Sequence, residues 1–144
     1  MIVGKGQEKD NLVEMVKRKN LDGSVIFTDF QSEAISYINA LDIFVMPSEN
    51  EGLPRVILEA MLMGKPVIAS NITGPSELAV NGETGFLVSV GKADATAGAI
   101  LRLIEDPALR KQMGENGRKR VIENFSIEKY VDGTENVFAE VLGY

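Results

Sequence analysis

Two glutamates separated by seven residues, Glu51 and Glu59, carry the densest chemical signal in this chain. Between the apolar run Ile43–Met46 and the stretch Arg55-Val56-Ile57-Leu58 lies the segment Pro47-Ser48-Glu49-Asn50-Glu51-Gly52-Leu53-Pro54. This order predicts a buried strand, an acidic loop containing a glycine, and then a helix. The amides of Gly52, Leu53 and the residues after Pro54 then lie at a helix N-terminus, which carries about half a positive charge and binds phosphate. Gly52 lets a ligand approach the backbone closely. Glu51 stands where a carboxylate can accept hydrogen bonds from ligand hydroxyls. Glu59 interrupts the apolar stretch from Val56 to Met63, and a charge embedded there must reach solvent or a partner. A plainer reading is that Glu49 and Glu51 only complement the helix dipole and that Glu59 is the solvent side of an amphipathic helix. Spacing alone leaves the two readings about even, and the apolar neighbours on nearly every side of Glu59 weigh somewhat against the plainer one.

Composition removes several other chemistries. The 144 residues, 44% hydrophobic and 25% charged, suit one globular domain, taken here as 1–144. Fifteen Lys plus Arg against 21 Asp plus Glu give a net charge of −6, so no nucleic-acid partner is expected. There is no Cys and no His. That excludes disulfides, thiol nucleophiles, the Ser-His-Asp triad and most zinc sites. No apolar run approaches about 18 residues, and no signal peptide is predicted.

The elements that must position the glutamates follow from periodicity. Met1–Val3 reads as a strand ending at Gly4-Lys5-Gly6, and Lys9–Lys19 as a helix with Leu12, Val13 and Val16 on one face. Ser24–Phe27 is a strand. Ser32 caps a helix that places Ala34, Ile35, Ile38 and Leu41 together. Ile43–Met46 reads as a strand buried on both faces. A helix runs from Pro54 to Met63, with Gly64 past its end. The strand Val67–Ser70, a short helix at Ser76–Val80, an Asn81-Gly82 turn and the strand Gly85–Val88 follow. Three helices close the chain. Ala93–Glu105 has Ile100, Leu101 and Ile104 as its apolar positions. Pro107–Glu123 has Leu109, Met113 and Val121. Ser126–Leu142, capped by Ser126, has Ile127, Tyr130, Phe138 and Val141. Strand–helix alternation predicts an α/β fold, a Rossmann-like parallel sheet flanked by helices. Ligands of such sheets sit beyond the carboxyl ends of the strands. The rim is then Gly4–Gly6, Thr28–Gln31, Pro47–Pro54, Ser70–Pro75 and Ser89–Gly91.

The stretch Ser48–Pro54, then Leu58-Glu59-Ala60-Met61, then Gly64–Ser70, closely resembles the donor-binding half of family 4 glycosyltransferases, retaining enzymes of the GT-B fold. The likeness continues through Gly74-Pro75-Ser76-Glu77, Asn81–Val88 and Phe125-Ser126, and covers essentially the whole chain. It implies that Glu51 is the catalytic-site glutamate contacting hydroxyls of the transferred sugar and that Glu59 holds the ribose hydroxyls of the nucleotide. Amides around Gly52, Leu53 and Pro54 would serve the diphosphate and sugar. Gly74 would border the sugar, and the stretch Phe27–Gln31, headed by Phe27, would hold the base. The family uses no bound metal and no cofactor, the nucleotide-sugar donor being a substrate. The sequence accordingly has no Asp-x-Asp pair.

Set against that family, the chain lacks a first strand and helix, which carry an Arg and a Lys that neutralise the leaving diphosphate. Lys5, Arg55 and Lys65 are the nearest cations, and none matches the motif. They read instead as a solvated loop charge, an exposed helix residue and a turn residue. The N-terminal acceptor-binding domain is also absent. The expectation is therefore a donor-binding piece, inactive alone, of a cytoplasmic enzyme. Any contact of the parent with the inner membrane face would belong to the missing domain. The alternative is a non-catalytic nucleotide-binding or protein-interaction α/β module. A receiver domain fits poorly, because it gives the Gly-Leu-Pro loop and the second glutamate no role.

The strand order of such sheets, 3-2-1-4-5-6, makes the missing strand the central one. Three outcomes follow: Met1–Val3 pairs directly with Ile43–Met46, another copy donates a strand, or the sheet splits. An unstable or self-associating chain is the favoured expectation.

Overall fold

The structure is a computed structural model describing residues 1–30 and 33–143. Contacts divide the chain into two compact units, Met1–Ala34 and Ile35–Tyr144.

The first unit holds β1 (Ile2–Val3), α1 (Lys9–Arg18) and β2 (Phe27–Thr28). The strands are parallel, with Ile2 opposite Phe27 and Val3 opposite Thr28. Strand β2 begins later than Ser24, because the Leu21 carbonyl accepts the amides of Ser24 (2.8 Å) and Val25 (3.1 Å) and holds both in a turn. On α1, Val13 and Val16 are half-buried and Leu12 is exposed. The Lys9 ammonium donates to Asp29 at 2.7 Å, which fixes the start of α1 to the loop after β2. That hydrogen bond and the Lys9 charge hold the Asp29 carboxyl below its ordinary value. Ser32, expected as a helix cap, and Gln31, expected in the base-holding stretch, lie outside the described residues.

Helix α2 (Ala34–Asn39) begins at the boundary between the units. The second unit continues with β3 (Phe44–Met46), α3 (Arg55–Leu62), β4 (Val67–Ser70), α4 (Pro75–Leu78), β5 (Gly85–Val88), α5 (Ala93–Glu105), α6 (Pro107–Asn124) and α7 (Ile127–Leu142). Its strands form a parallel sheet in the order β3-β4-β5, with Phe44 opposite Val67 and Val67 opposite Gly85. The fold is the α/β parallel-sheet class that the alternation predicts. Central β4 is buried throughout. Strand β3, expected to be buried on both faces, is only half-buried, because among the described residues it pairs with β4 alone. Strands β1 and β2 form a two-stranded ladder within the first unit.

The core gathers Ile68, Val88, Leu103 and Met113, with Ile100 and Phe86 packed against them. Residues 99, 100 and 103 of α5 therefore face inward. Leu101 and Ile104, the other apolar positions of the predicted helix, are 54% and 55% exposed. Each lies about 100° round the helix from an inward neighbour, and packing rather than pattern chose between two adjacent apolar stripes. Helix α6 buries Met113, Gly114, Gly117 and Val121, and the side chain of Asp106 caps it by accepting the Leu109 amide at 2.9 Å. Ser126 caps α7 through the Lys129 amide at 3.3 Å, as its position predicts. The expected apolar residues of α7 are all exposed, from 62% at Phe138 to 76% at Val141. Among the described residues no helix is long and apolar enough to cross a membrane.

Two glycines set how closely α6 packs on α3. Gly64, at φ +70°, ends α3, and a Cβ on Gly114 would lie 2.0 Å from its carbonyl oxygen. A Cβ on Gly117 would meet the Met61 side chain at 3.4 Å. Helix propensity alone would make Gly→Ala stabilising by about 0.5–1 kcal/mol. At Gly133 of α7, where the space is open, that gain should appear in chemical denaturation. Gly114→Ala should instead destabilise by about 1–3 kcal/mol. A gain at both positions would mean that α3 and α6 are not in contact.

Candidate functional site

The loop 47–54 leaves the carboxyl end of β3 and enters α3 at Pro54, the N-cap, which is buried with φ −75° and ψ 93°. A proline side chain cannot cap, and no side-chain hydrogen bond closes this end. The Pro54 carbonyl receives the Ile57 amide at 2.9 Å. The amides of Arg55 and Val56 precede the intrahelical ladder and need an outside partner. Among the described residues, Glu49 and Glu51 make no hydrogen bond to them. Of the plainer reading, this leaves only a through-space attraction to the helix dipole.

Gly74 joins the loop after β4 to this one. At φ 89° and ψ −77° it is the N-cap of the short α4. A Cβ there would fall 1.8 Å from the Gly52 carbonyl oxygen and 3.3 Å from Cδ of Pro54. The two loops thus touch backbone to backbone, and Gly52, Pro54 and Gly74 form one junction. Its base is buried at Pro54, Gly74 and Pro75, while Gly52 and Leu53 are exposed above it, Leu53 by 58%.

Glu51 and Glu59 are both half-buried. Glu59 lies four residues, about 6 Å of helix rise, beyond Arg55. Its neighbours Ile57, Ala60 and Met61 are fully buried. Among the described residues neither glutamate side chain forms an ion pair or hydrogen bond. Carboxylates placed beside exposed amides suit a ligand with anionic groups for the amides and hydroxyls for the carboxylates.

Phe27 belongs to the Met1–Ala34 unit, where it opens β2, half-buried. Lys5 and Arg55 are exposed, as expected. Lys65, read as a turn residue, has a defined partner: it donates to the Asn39 carbonyl at 2.8 Å and holds the end of α2. Among the described residues no group of three or more acidic, His or Cys side chains could hold a metal ion.

Beside the junction lies a cleft of about 400 Å³ at the carboxyl ends of β3, β4 and β5, with Glu49, Ser70, Ser89, Lys92 and Thr96 in its wall. It draws on three of the predicted rim loops. Its α5 side was not foreseen, because a first turn carrying Lys92 and Thr96 has no apolar or glycine signal. Arg120 of α6 also escaped the sequence reading. It donates from Nε to the Leu78 carbonyl at 2.7 Å and from a terminal nitrogen to the Glu77 carbonyl at 3.0 Å. An arginine beside a core valine reads in sequence as a solvated charge.

A family model described as "Glycosyl transferases group 1" matches residues 1–120. The lipopolysaccharide core biosynthesis glycosyltransferase LpsE of Rhizobium meliloti (strain 1021) is 34% identical over 131 residues, 91% of this chain and 38% of LpsE. The crystal structure of Anabaena HepE in complex with UDP superposes with a TM-score of 0.88 at 28% identity, covering 96% of this chain and 40% of HepE. The C-terminal domain of the glycosyl transferase group 1 family protein LpcC from Francisella tularensis gives a TM-score of 0.77 at 33% identity, over 85% of this chain and 66% of that one. The chain spans well under half the length of relatives such as LpsE.

The backbone junction makes a sharp test. Gly74→Ala places a methyl group on the Gly52 carbonyl and also strains a positive φ. We expect a loss of about 2 kcal/mol or more in stability. Faster amide exchange should appear at Gly52 and Leu53. Unchanged stability and exchange would contradict the contact.

Proposed function

The chain belongs to the group 1 glycosyl transferases, and on that premise we propose that it binds the nucleotide-sugar donor of a retaining sugar-transfer reaction. One observation carries this reading. A helix N-terminus without a side-chain cap, with exposed Gly52 and Leu53 beside it, lies on the same loop and helix as Glu51 and Glu59, two carboxylates that make no ion pair or hydrogen bond among the described residues. The amides receive the diphosphate, Glu51 the hydroxyls of the sugar, and Glu59 the hydroxyls of the ribose. Gly74 keeps the sugar end narrow. HepE, which this chain resembles, has been crystallised with UDP and with UDP-glucose, and that supports a uridine donor as the first probe.

Transfer also requires an acceptor held at reacting distance and positive charge on the departing diphosphate. In this proposal a further part of the enzyme supplies both, so the chain alone releases sugar slowly at most. The donor needs no divalent metal in this reading. The reaction belongs in the cytoplasm, where activated sugars are made.

Calorimetry of the full chain with UDP and with UDP-glucose tests the division of roles. Glu59→Ala should weaken both ligands by about 1.5–3 kcal/mol. Glu51→Ala should weaken UDP-glucose by a similar amount and leave UDP nearly unchanged. Equal losses for both ligands in both variants would refute the assignment. Chelator in the cell should change nothing, and sugar transfer by the chain at about 1 per second or faster would refute the need for a further part.

A further inference from the structure

We infer that Arg120 is a positioning residue of the donor site, acting through α4 on the Gly52–Gly74 junction. This rests on the proposed donor-binding role of that junction. Arg120 does not touch the junction; it grips the far end of the short helix whose first end forms it.

The geometry runs in three steps. First, α6 is fixed to α3. Gly114 lies against the Gly64 carbonyl, too close for a larger residue to enter freely, and Gly117 packs in ordinary contact on the Met61 side chain. The same helix donates from Asn116 to the Glu83 carbonyl at 3.0 Å and from Arg110 to the Leu103 carbonyl at 2.8 Å. Second, the Arg120 guanidinium leaves this platform and takes two successive carbonyls, those of Glu77 and Leu78, at the end of α4. A planar fork bearing several donors suits that pair, and an ammonium could serve both only by compromise. The Phe125 ring lies 5.5 Å from the guanidinium carbon and restricts its swing.

Third, α4 is only four residues long and is too short to hold itself. Its own bonds are those of a single turn: Glu77 and Leu78 donate to the Gly74 carbonyl at 3.1 and 3.4 Å, and Ala79 to the Pro75 carbonyl at 2.9 Å. Its buried anchors are Pro75 and Leu78. Arg120 ties the C-terminal end of α4 to α6, and the N-terminal end presents Gly74 to the Gly52 carbonyl. Losing the tie frees α4 to shift, and the residue that shifts into the proposed sugar pocket is Gly74. Glu59 sits on α3, which α6 holds independently of Arg120. The effect should therefore fall on the sugar rather than on the nucleotide.

The test uses the full chain with Arg120→Gln and Arg120→Lys. In Arg120→Gln, amide exchange at Glu77, Leu78 and Ala79 should accelerate about tenfold or more, with β4 and β5 unchanged. Affinity for UDP-glucose should fall several-fold relative to affinity for UDP, and Arg120→Lys should recover part of both effects. If Arg120→Gln does not fold, Arg120→Lys carries the same comparison with a smaller change. Unaltered exchange in α4, or equal losses for UDP and UDP-glucose, would overturn the inference while leaving the donor site standing. Failure of the unchanged protein to bind UDP-glucose would remove the donor site and the positioning role together.

Discussion

The carbonyl oxygen of Gly52 fills the space that a side chain on residue 74 would need, and the second unit is arranged around that contact. Two loops leaving neighbouring strands can meet this closely only if one contributes no Cβ and accepts a positive φ. The contact fixes the loop after β3, which carries Glu51, against the loop after β4. It also determines where α3 and α4 begin. Helix α6 then holds both helices from behind: it packs small residues on α3 and hydrogen-bonds the end of α4. Few large side chains take part. Backbone meets backbone, and the geometry has little room to drift.

That economy of side chains shapes the electrostatics. The chain carries a net charge of −6, and its site presents carboxylates. Several cations of the second unit serve the scaffold instead. Lys65 holds the Asn39 carbonyl, Arg110 holds Leu103, Arg120 holds α4, and Arg102 lies 5.0 Å above the Phe86 ring. Near the junction this leaves the backbone amides, the dipole of α3 and the exposed Arg55 at its first position. In the proposed reading, the two glutamates favour a ligand that brings hydroxyls as well as phosphate.

Much of this was legible in the sequence because the signals were local. Strands Val67–Ser70 and Gly85–Val88 and the helix Ala93–Glu105 have the bounds that their apolar runs and flanking Gly, Pro and Asn predict. Glu51, Gly52 and Glu59 stand on the predicted loop and helix. What was not legible depends on distant packing. The inward face of α5 was set by which of two apolar stripes met Ile68 and Val88, and periodicity alone cannot say. The start of β2 was decided by a turn at Leu21. Arg120 bonds to backbone carbonyls more than 40 residues away in sequence, and carbonyls leave no trace in residue types. The apolar pattern of α7 was legible as a helix, and its exposure was not, because burial depends on what packs against it.

An amide-resolved NMR titration of the full chain with UDP-glucose tests the central claim most directly. The account predicts that the largest shifts fall on Gly52, Leu53, Arg55, Val56 and Gly74, with α7 unmoved. Shifts concentrated instead on Ser89, Lys92 and Thr96, in the neighbouring cleft, would place the ligand elsewhere and contradict the assignment of the Gly52–Gly74 junction as the donor site.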